Sequence, residues 1–212
     1  MKIAILGAGG RIGQRIVKEA VSRRHTVTAF ARDSSRIPED KSGATWKVAD
    51  VLDPDSVAQA AKGEDVLISA YGPPQQGGDT EKIPQSARAI IEGLRKQRLS
   101  GTSPRFIMVG GAGSLEVAPG KLLVDLLPDF VKPTANAHHE ALKYLLTVTD
   151  VPWTNFSPGG QINPGERTGN FRLGTDQLLG GKNEISMEDY AVAMIDEAEQ
   201  GKHIGRRFTA GY

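Results

Sequence analysis

The feature that most restricts the fold of this chain is a glycine-rich segment near its amino terminus. A short apolar run at residues 3–6 ends directly in Gly7-Ala8-Gly9-Gly10-Arg11-Ile12-Gly13. An apolar run of this length that ends in glycine is typical of a strand buried on both faces. Apolar residues from Ile12 to Ala20 then recur at helical spacing. We therefore predict a strand, a tight turn and an amphipathic helix in immediate succession.

The predicted turn has the composition of a phosphate-binding loop. Glycine permits the backbone angles of the turn and lets a pyrophosphate approach the main chain, while the helix start supplies free N–H groups and a positive dipole. The strand before the glycines and the helix after them favour a dinucleotide site over a merely tight turn. The loop residues predicted to contact this cofactor are Gly7, Gly9, Gly10, Arg11, Ile12 and Gly13.

Strand and helix patterns alternate over the first three quarters of the chain. Strands are predicted at residues 3–6, 26–30, 45–51, 65–70, 105–109 and 153–156. Helices are predicted at 54–62, with Asp53 as N-cap and Pro54 at the first position, around 83–94, and at 137–148. Because right-handed crossovers place helices on both faces of such a sheet, we predict an α/β, doubly wound parallel sheet (a Rossmann fold) with strand order 3-2-1-4-5-6.

Beyond Pro158 the alternation becomes irregular. Short strands are predicted at residues 168–173, near Glu184 and at 206–209. Ser186, with Asp189 three residues later, predicts a helix that starts there and runs to Gln200. We interpret this region as a small substrate-side appendage to a single domain of residues 1–212.

Composition and charge exclude several classes of function. The chain has 26 Lys and Arg against 25 Asp and Glu, so no charge excess predicts a nucleic-acid or membrane partner. The lack of cysteine excludes disulfides, thiolate catalysis and Cys-ligated metals, and it fits a reducing compartment. No histidine and carboxylate spacing resembles a metal site, and no apolar run approaches the roughly 20 residues of a membrane span. We expect a cytoplasmic protein without a metal.

The end of the second predicted strand indicates which cofactor is preferred. NAD-specific sites usually carry an acidic residue there, which binds the ribose 2′-hydroxyl. In this chain Arg32 holds that place, and a guanidinium group beside hydroxyls such as that of Ser34 suits a 2′-phosphate. Arg11 is a candidate second ligand. Asp33, one residue further, argues for NADH, and arginines in loops are often only solvated. We predict that NADP(H) is preferred over NAD(H).

Other strand ends supply the remaining candidate contacts with the cofactor, because ligands of open parallel sheets bind at the carboxyl edge. Asp50 either accepts from the adenine amine or simply ends a strand, and Tyr71 either lines the nicotinamide side or caps the core. The residues predicted at these ends are Asp50, Val51, Ala70, Tyr71, Gly72 and Pro158.

Several strings, together with the glycine loop, resemble one group of proteins. They are Val109-Gly110-Gly111-Ala112-Gly113-Ser114-Leu115, Trp153-Thr154 through Ser157-Pro158, Pro164-Gly165-Glu166-Arg167-Thr168-Gly169, Ser186 to Tyr190 and Arg206-Arg207-Phe208-Thr209. With these the chain resembles the atypical short-chain dehydrogenase/reductase proteins called NAD(P)H-flavin reductases, which are related to NmrA-like proteins and to biliverdin reductase B. The resemblance spans nearly the whole chain. It implies an NAD(P)-binding reductase fold, and it also implies that the protein forms a homodimer.

The wider superfamily uses a Ser, a Tyr and a Lys, with Tyr-x-x-x-Lys on one helix, and this chain departs from that pattern. None of its tyrosines has a lysine four residues later. His139 and Lys143 fill the same spacing, and Ser114 comes 25 residues before His139. We name Ser114, His138, His139 and Lys143 as candidate catalytic residues, because imidazole can donate a proton near neutral pH. The alternative for the histidine pair is a solvent-facing position at a helix end.

The missing tyrosine favours an acceptor that needs no dedicated acid. The leading hypothesis is an NADPH-dependent oxidoreductase that transfers hydride to a conjugated small molecule such as FMN, another flavin or a quinone. The alternative is a non-catalytic NADP(H)-binding redox sensor, NmrA-like, that acts through a protein partner. Residues 164–172, with Glu166, Arg167 and Arg172, either recognise an anionic acceptor or form internal salt bridges that fix the loop.

Overall fold

The amino-terminal strand, turn and helix form as the glycine segment predicts. The computed structural model describes residues 1–72, 78–99, 101 and 104–212. Strand β1 covers Lys2–Leu6, helix α1 covers Arg11–Ser22, and strand β2 covers Thr26–Ala31. The helix buries Ile16, Val17 and Ala20 against the sheet, whereas Lys18 on its other side is exposed. The amphipathic spacing of the sequence is therefore the reason why α1 packs with this face inward.

The other strands and helices follow in alternation and then in shorter pieces. The remaining strands are β3 Thr45–Val48, β4 Val66–Ser69, β5 Arg105–Val109, β6 Glu116–Ala118, β7 Lys121–Leu122, β8 Trp153–Pro158, β9 Gln161–Asn163, β10 Arg172–Gly174, β11 Glu184–Ser186 and β12 Arg206–Gly211. The remaining helices are α2 Pro54–Ala61, α3 Lys82–Leu99, α4 Lys132–Leu145 and α5 Met187–Gln200. Among the described residues, no helix is long and apolar enough to cross a membrane.

The central sheet confirms the predicted doubly wound arrangement. Its eight strands run in the order β3-β2-β1-β4-β5-β8-β12-β10. The first six reproduce the predicted order 3-2-1-4-5-6, with β8 as the sixth predicted strand. All neighbours are parallel except β10, which pairs antiparallel with β12 at one edge. The sheet therefore extends beyond the predicted six strands by two strands from the carboxyl-terminal region.

Two apolar layers cover the two faces of the sheet. On one face α1 and α5 pack over a core that contains Ile5, Phe156 and Phe208. On the other face α2, α3 and α4 pack over a core that contains Leu67 and Phe106. Successive residues of one strand alternate between the two layers, which is why the buried strands read as continuous apolar runs in the sequence.

Several predicted boundaries are wrong, each for a local reason. The third strand ends at Val48 rather than at residue 51, because the Asp50 carboxylate accepts from the Leu52 N–H at 2.9 Å and turns the chain. Helix α4 starts at Lys132 rather than at residue 137, with Pro133 in its first turn, where the missing N–H of proline is tolerated. The strand predicted at 168–173 begins only at Arg172.

The late start of β10 reflects a strap, which we define as residues 164–170, that binds side chains instead of pairing as a strand. The buried Asp189 carboxylate accepts from the N–H groups of Thr168 and Gly169, both at 2.8 Å, and from the Tyr212 hydroxyl at 2.9 Å. Arg167 binds Glu19 of α1 through two hydrogen bonds of 2.7 and 2.8 Å. The strap is thus anchored to α1 and α5.

These contacts favour one of the two interpretations of residues 164–172. The Arg167 guanidinium is bonded to Glu19. Arg172 donates to the main-chain carbonyls of Gly180 and Tyr212. The two arginines therefore fix the chain through internal contacts, and recognition of an anionic acceptor by this segment stays a prediction.

Glu19 carries the strongest of these anchors and should contribute to stability in a pH-dependent way. Its side chain is only 6% exposed and is also bonded to Arg23 at 2.7 Å. The hydrogen bond from Arg167 is the main cause that holds the pKa of Glu19 below its ordinary value of 4.5. The stabilisation is therefore complete above pH 4.5 and is lost as the pH falls through the lowered pKa.

Replacing Glu19 with Gln should lower the free energy of unfolding at neutral pH by about 1–3 kcal/mol, because two arginines lose their anionic partner. The difference from the wild type should shrink on acidification, since the wild-type carboxylate then becomes protonated. Urea unfolding at neutral and acidic pH measures both effects, with exposed Glu39→Gln as control. A difference that stays constant down to acidic pH would contradict this role of Glu19.

Candidate functional site

A cleft opens at the carboxyl ends of β1, β2 and β4, which are parallel neighbours in the sheet. Its volume is about 580 Å³, within the roughly 300–1,000 Å³ typical of small-molecule sites. Most of the residues predicted to contact the cofactor line it. Its walls are formed by Gly7, Gly9, Gly10, Arg11, Ile12, Ala31, Arg32, Arg36, Ala70, Tyr71, Gly72, Ile162 and Met187.

Close backbone contacts explain why the loop of the cleft needs glycine. Gly7 has φ +70°, and an ideal Cβ there would lie 2.8 Å from the main chain of Ala70 and Tyr71. A Cβ on Gly13 would lie 2.4 Å from the Gly7 carbonyl oxygen. Both distances are shorter than a side chain tolerates, so α1 can approach the ends of β1 and β4 only if these positions lack a side chain.

The amino terminus of α1 faces the cleft with its positive dipole uncompensated. Gly10 is the N-cap, no side chain caps the helix, and its first turn carries no acidic residue. The N–H of Gly10 donates to the Gly7 carbonyl at 3.1 Å. The N–H groups of the residues that follow Gly10 lie in the first turn of α1, where a ligand can accept from them. A helix start of this kind is suited to an anionic group such as a pyrophosphate.

Arginine side chains add positive charge at one side of the cleft. Arg32 follows β2, and Arg36 ends the short helical turn Ser34–Arg36; their side chains are 70% and 60% exposed. Arg11 is exposed at the start of α1 and contacts the Met187 sulfur at 4.0 Å through Nη2. The cleft thus has a neutral glycine-rich floor and a cationic margin, which favours a ligand with phosphate groups.

Some predicted contact residues lie outside the walls of the cleft. They are Gly13, Asp33, Ser34, Asp50, Val51 and Pro158. Gly13 packs against the main chain of Gly7 and Ala8. Val51 and Pro158 are buried. Asp50 is exposed and holds a turn, which is the simpler of its two interpretations. Val51 and Pro158 therefore do not line the cleft, and their predicted contact with the cofactor stays a prediction.

Four wall residues were not predicted. Ala31 is the last residue of β2, and Arg36 lies in the turn after it, where the spacing of Arg36 four residues after Arg32 was a usable signal. Ile162 and Met187 come from distant parts of the chain. They meet the cleft because β9 pairs with β11, with Ile162 opposite Ile185 and Asn163 opposite Ser186. No local pattern in the sequence predicts that pairing.

Comparisons with known proteins agree with this geometry. The NAD(P)H-binding family, defined by its sequence profile, matches residues 7–200. The chain belongs to the NAD(P)H-binding family. The match begins at the first glycine of the loop and ends at the last residue of α5, so it includes the described residues of the cleft and helices α1 to α5.

Solved structures of similar proteins share the complete fold. A "putative exported protein" from Burkholderia pseudomallei is 47% identical, with TM-score 0.88 and full coverage of both chains. A "putative epimerase" from Bacteroides thetaiotaomicron is 40% identical, with TM-score 0.87, over 100% of this chain and 96% of its own. A "putative NADH-flavin reductase" from Streptococcus pneumoniae TIGR4 is 34% identical, with TM-score 0.81, over 99% and 98%. This NAD(P)H-binding chain thus has full-length relatives with different names.

The candidate catalytic residues of this family member do not form one cluster with the cleft. Ser114 is buried, donates to the Gly111 carbonyl at 3.0 Å and accepts from Arg207 at 3.1 Å. Lys143 is exposed and paired with Glu140 at 3.0 Å. The hydroxyl and the ammonium group therefore both have internal partners, and their proposed roles in proton transfer stay predictions.

The histidine pair is placed differently from either expectation. His138 packs against Gly111, where an ideal Cβ would lie 2.8 Å from the His138 Cβ. Burial lowers the pKa of His138 to about 4 and also lowers the pKa of His139. Both Nδ1 atoms are buried and have no partner in the part of the chain that the structure describes. Neither ring is simply solvent-facing, and His138 is neutral at pH 7, so the expectation of a group that titrates near neutrality is wrong for it.

The prediction that the protein binds no metal was made from the spacing of its histidine and carboxylate side chains. Among the residues that the structure describes, no three His, Cys, Asp or Glu side chains are grouped so that they could hold a metal ion. Tyr71 is half-buried and is the one tyrosine among the described residues of the cleft wall, and burial raises its pKa. Its phenol is therefore protonated at neutral pH and can donate a hydrogen bond into the cleft.

The geometry of Gly10 predicts that one substitution separates folding from cofactor binding. Gly10 has φ −77° and ψ 168°, which any residue can adopt, and aspartate is a good N-cap. An ideal Cβ there would lie 3.3 Å from the Gly7 carbonyl oxygen, a tight contact that requires a small shift of the turn. Gly10→Asp should therefore change the melting temperature only slightly. It should also weaken cofactor binding by roughly 100-fold or more, because a carboxylate then stands where the pyrophosphate binds.

Gly10→Asn is the matched control, since it has the same size without the charge. It should weaken cofactor binding less than Gly10→Asp does. Calorimetric titration of both variants with NADPH, together with thermal melts, provides the test. Unchanged affinity of Gly10→Asp would mean that the cofactor does not bind at the start of α1.

Proposed function

We propose that this protein is an NADPH-dependent oxidoreductase that transfers hydride to a flat, conjugated acceptor such as FMN or a quinone. The observation that carries the proposal is the combination, in one cleft, of an uncapped helix start and two arginines at the end of β2. The first suits a pyrophosphate and the second a 2′-phosphate. The family profile supports NAD(P)H binding, and the phosphate preference is our inference from Arg32 and Arg36.

The residues fit the cofactor in their order along the cleft. In a doubly wound sheet the adenosine half of a dinucleotide lies beyond the second strand and the nicotinamide half beyond the fourth. Arg32 and Arg36 would therefore hold the 2′-phosphate, and the loop at Gly9 and Gly10 would hold the pyrophosphate. Ala70 and Tyr71, which directly follow β4, would line the nicotinamide side. When bound, the cofactor supplies the hydride.

The contribution of the chain to catalysis is mainly to bind and orient. Ser114 and Lys143 are engaged in internal contacts, and His138 is neutral at pH 7. The ionisable groups among the described residues of the cleft wall are arginine guanidinium groups and the Tyr71 phenol, and none of these is a strong acid at that pH. A conjugated acceptor delocalises the incoming charge, so the protein has to hold two rings in contact and needs less help from an acid. In this proposal Tyr71, which lines the cleft, donates a hydrogen bond to such an acceptor.

The same observations favour a second candidate function. A protein that binds NADP(H) and reports the redox state to a protein partner also needs the phosphate contacts but no proton donor. The internal partners of Ser114 and Lys143 are compatible with this role. Epimerisation, which the name of one relative suggests, is less well supported because the chain lacks the Tyr-x-x-x-Lys pair.

Turnover separates the two candidates. The purified protein should oxidise NADPH, followed by the loss of nicotinamide absorbance, only when FMN, another flavin or a quinone is added. It should prefer NADPH to NADH. Tight binding of NADPH without turnover on any of these acceptors would favour the sensor instead.

The phosphate contacts predict how the preference changes on mutation. Arg36→Ala should weaken NADPH binding by roughly 10-fold, because one charge-assisted contact with the 2′-phosphate is lost, and should leave NADH binding nearly unchanged. Arg24→Ala is the control, since Arg24 is exposed at the other end of α1. Fluorescence titration with both cofactors measures the effect. Equal loss for NADPH and NADH would show that Arg36 does not contact the 2′-phosphate.

A further inference from the structure

Asp33 lies between the two arginines at the end of β2. Its Oδ2 atom is 3.5 Å from Nε of Arg32 and 3.9 Å from Nε of Arg36. Its Oδ1 atom accepts a hydrogen bond from the Ser35 hydroxyl. The Ser35 hydrogen bond, as the largest cause, and the two arginines hold the pKa of Asp33 below its ordinary value. At neutral pH an anion therefore stands between two cations at the margin of the cleft.

We propose that Asp33 sets the balance between the two cofactors, as an internal competitor of the NADPH 2′-phosphate and as an acceptor for the ribose 2′-hydroxyl of NADH. The proposal deepens the proposed function and rests on it, because it takes the cleft as a dinucleotide site. It assigns Asp33 a role in specificity rather than a role in catalysis.

The contacts of Asp33 with the arginines are loose enough to be displaced. Strong charge-assisted hydrogen bonds between nitrogen and oxygen measure roughly 2.7–2.9 Å, and both distances here are longer. The Asp33 side chain is 42% exposed and the two arginines more so, so water screens the pairs. A phosphate with more charge and three oxygens can therefore replace the carboxylate at both guanidinium groups.

Displacement leaves the carboxylate beside the bound phosphate. Asp33 is joined to Arg32 by the chain and is held by Ser35, so it cannot move far from either arginine. The repulsion between the two anions then reduces the affinity for NADPH. The cleft thus binds NADPH less tightly than its arginines alone would allow.

NADH is not repelled by Asp33 in this way. It has no phosphate at the ribose 2′ position, so it leaves the ion pairs of Asp33 in place. A carboxylate after the second strand is the usual acceptor for the ribose 2′-hydroxyl in NAD sites. In the proposal Asp33, directly after Arg32, takes this role, which gives the protein a measurable affinity for NADH.

The two effects have opposite signs when the charge of Asp33 is removed. Asp33→Asn keeps an oxygen for the Ser35 hydroxyl, so the local turn is retained. NADPH should bind roughly three- to tenfold more tightly, since two charges about 6 Å apart in water change the affinity by roughly threefold per elementary charge. NADH should bind more weakly by a few fold. A merely structural role of Asp33 would weaken both cofactors.

Asp40 provides a matched control. It lies in the same connection between β2 and β3, is exposed, and accepts from the N–H and hydroxyl of Ser42 two residues later. Asp33 accepts from the hydroxyl of Ser35 at the same spacing. Asp40→Asn removes the same charge away from the arginines. It should change the binding of either cofactor by less than roughly twofold, by screened long-range charge alone.

The experiment is calorimetric titration of NADPH and NADH into the wild type, Asp33→Asn and Asp40→Asn, at low and at high salt. The proposal expects opposite shifts for the two cofactors in Asp33→Asn alone, with the gain for NADPH reduced by salt. Shifts of the same sign, or no shift, would overturn it while NADPH binding by the wild type upholds the cofactor site. A wild type that binds neither cofactor would overturn the proposed function together with this proposal.

Discussion

The edge of the sheet that carries the cleft depends on one close main-chain contact, between the turn at Gly7 and the first turn of α1. Without side chains at Gly7 and Gly13, the helix lies directly against the ends of β1 and β4. That approach brings the positive end of α1 to the edge where β2 and β4 also end. The cationic margin at Arg32 and the neutral wall at Ala70 are placed around it by their parallel pairing with β1.

The parts of the fold that the sequence predicts are those with a local cause. The glycine loop is one. Helix α2 starts as expected, with the Asp53 carboxylate accepting from the Asp55 N–H at 3.0 Å, and α5 starts where Ser186 accepts from the Asp189 N–H at 2.9 Å. The strand order follows from alternation and handedness and needs no long-range information. Each of these signals lies within a few residues of the feature that it specifies.

The rest depends on contacts between distant residues. Glu19 and Arg167 are 148 positions apart, and Ser114 and Arg207 are 93 apart. Neither pair has a spacing that singles it out in the sequence. The burial of His138 likewise follows from how α4 packs, and the wall residue Met187 reaches the cleft only through α5. Most residues predicted to contact the cofactor therefore line one cleft, whereas Ser114 and Lys143, which were expected to act on an acceptor, have internal partners.

A crystal structure of the protein with NADP⁺ would show whether a dinucleotide binds with its phosphates at the start of α1. We expect pyrophosphate oxygens within about 3 Å of main-chain N–H groups at Arg11 and Ile12, and a 2′-phosphate between Arg32 and Arg36. A cofactor bound elsewhere, for example in the cleft of about 420 Å³ between α3 and α4, would contradict it.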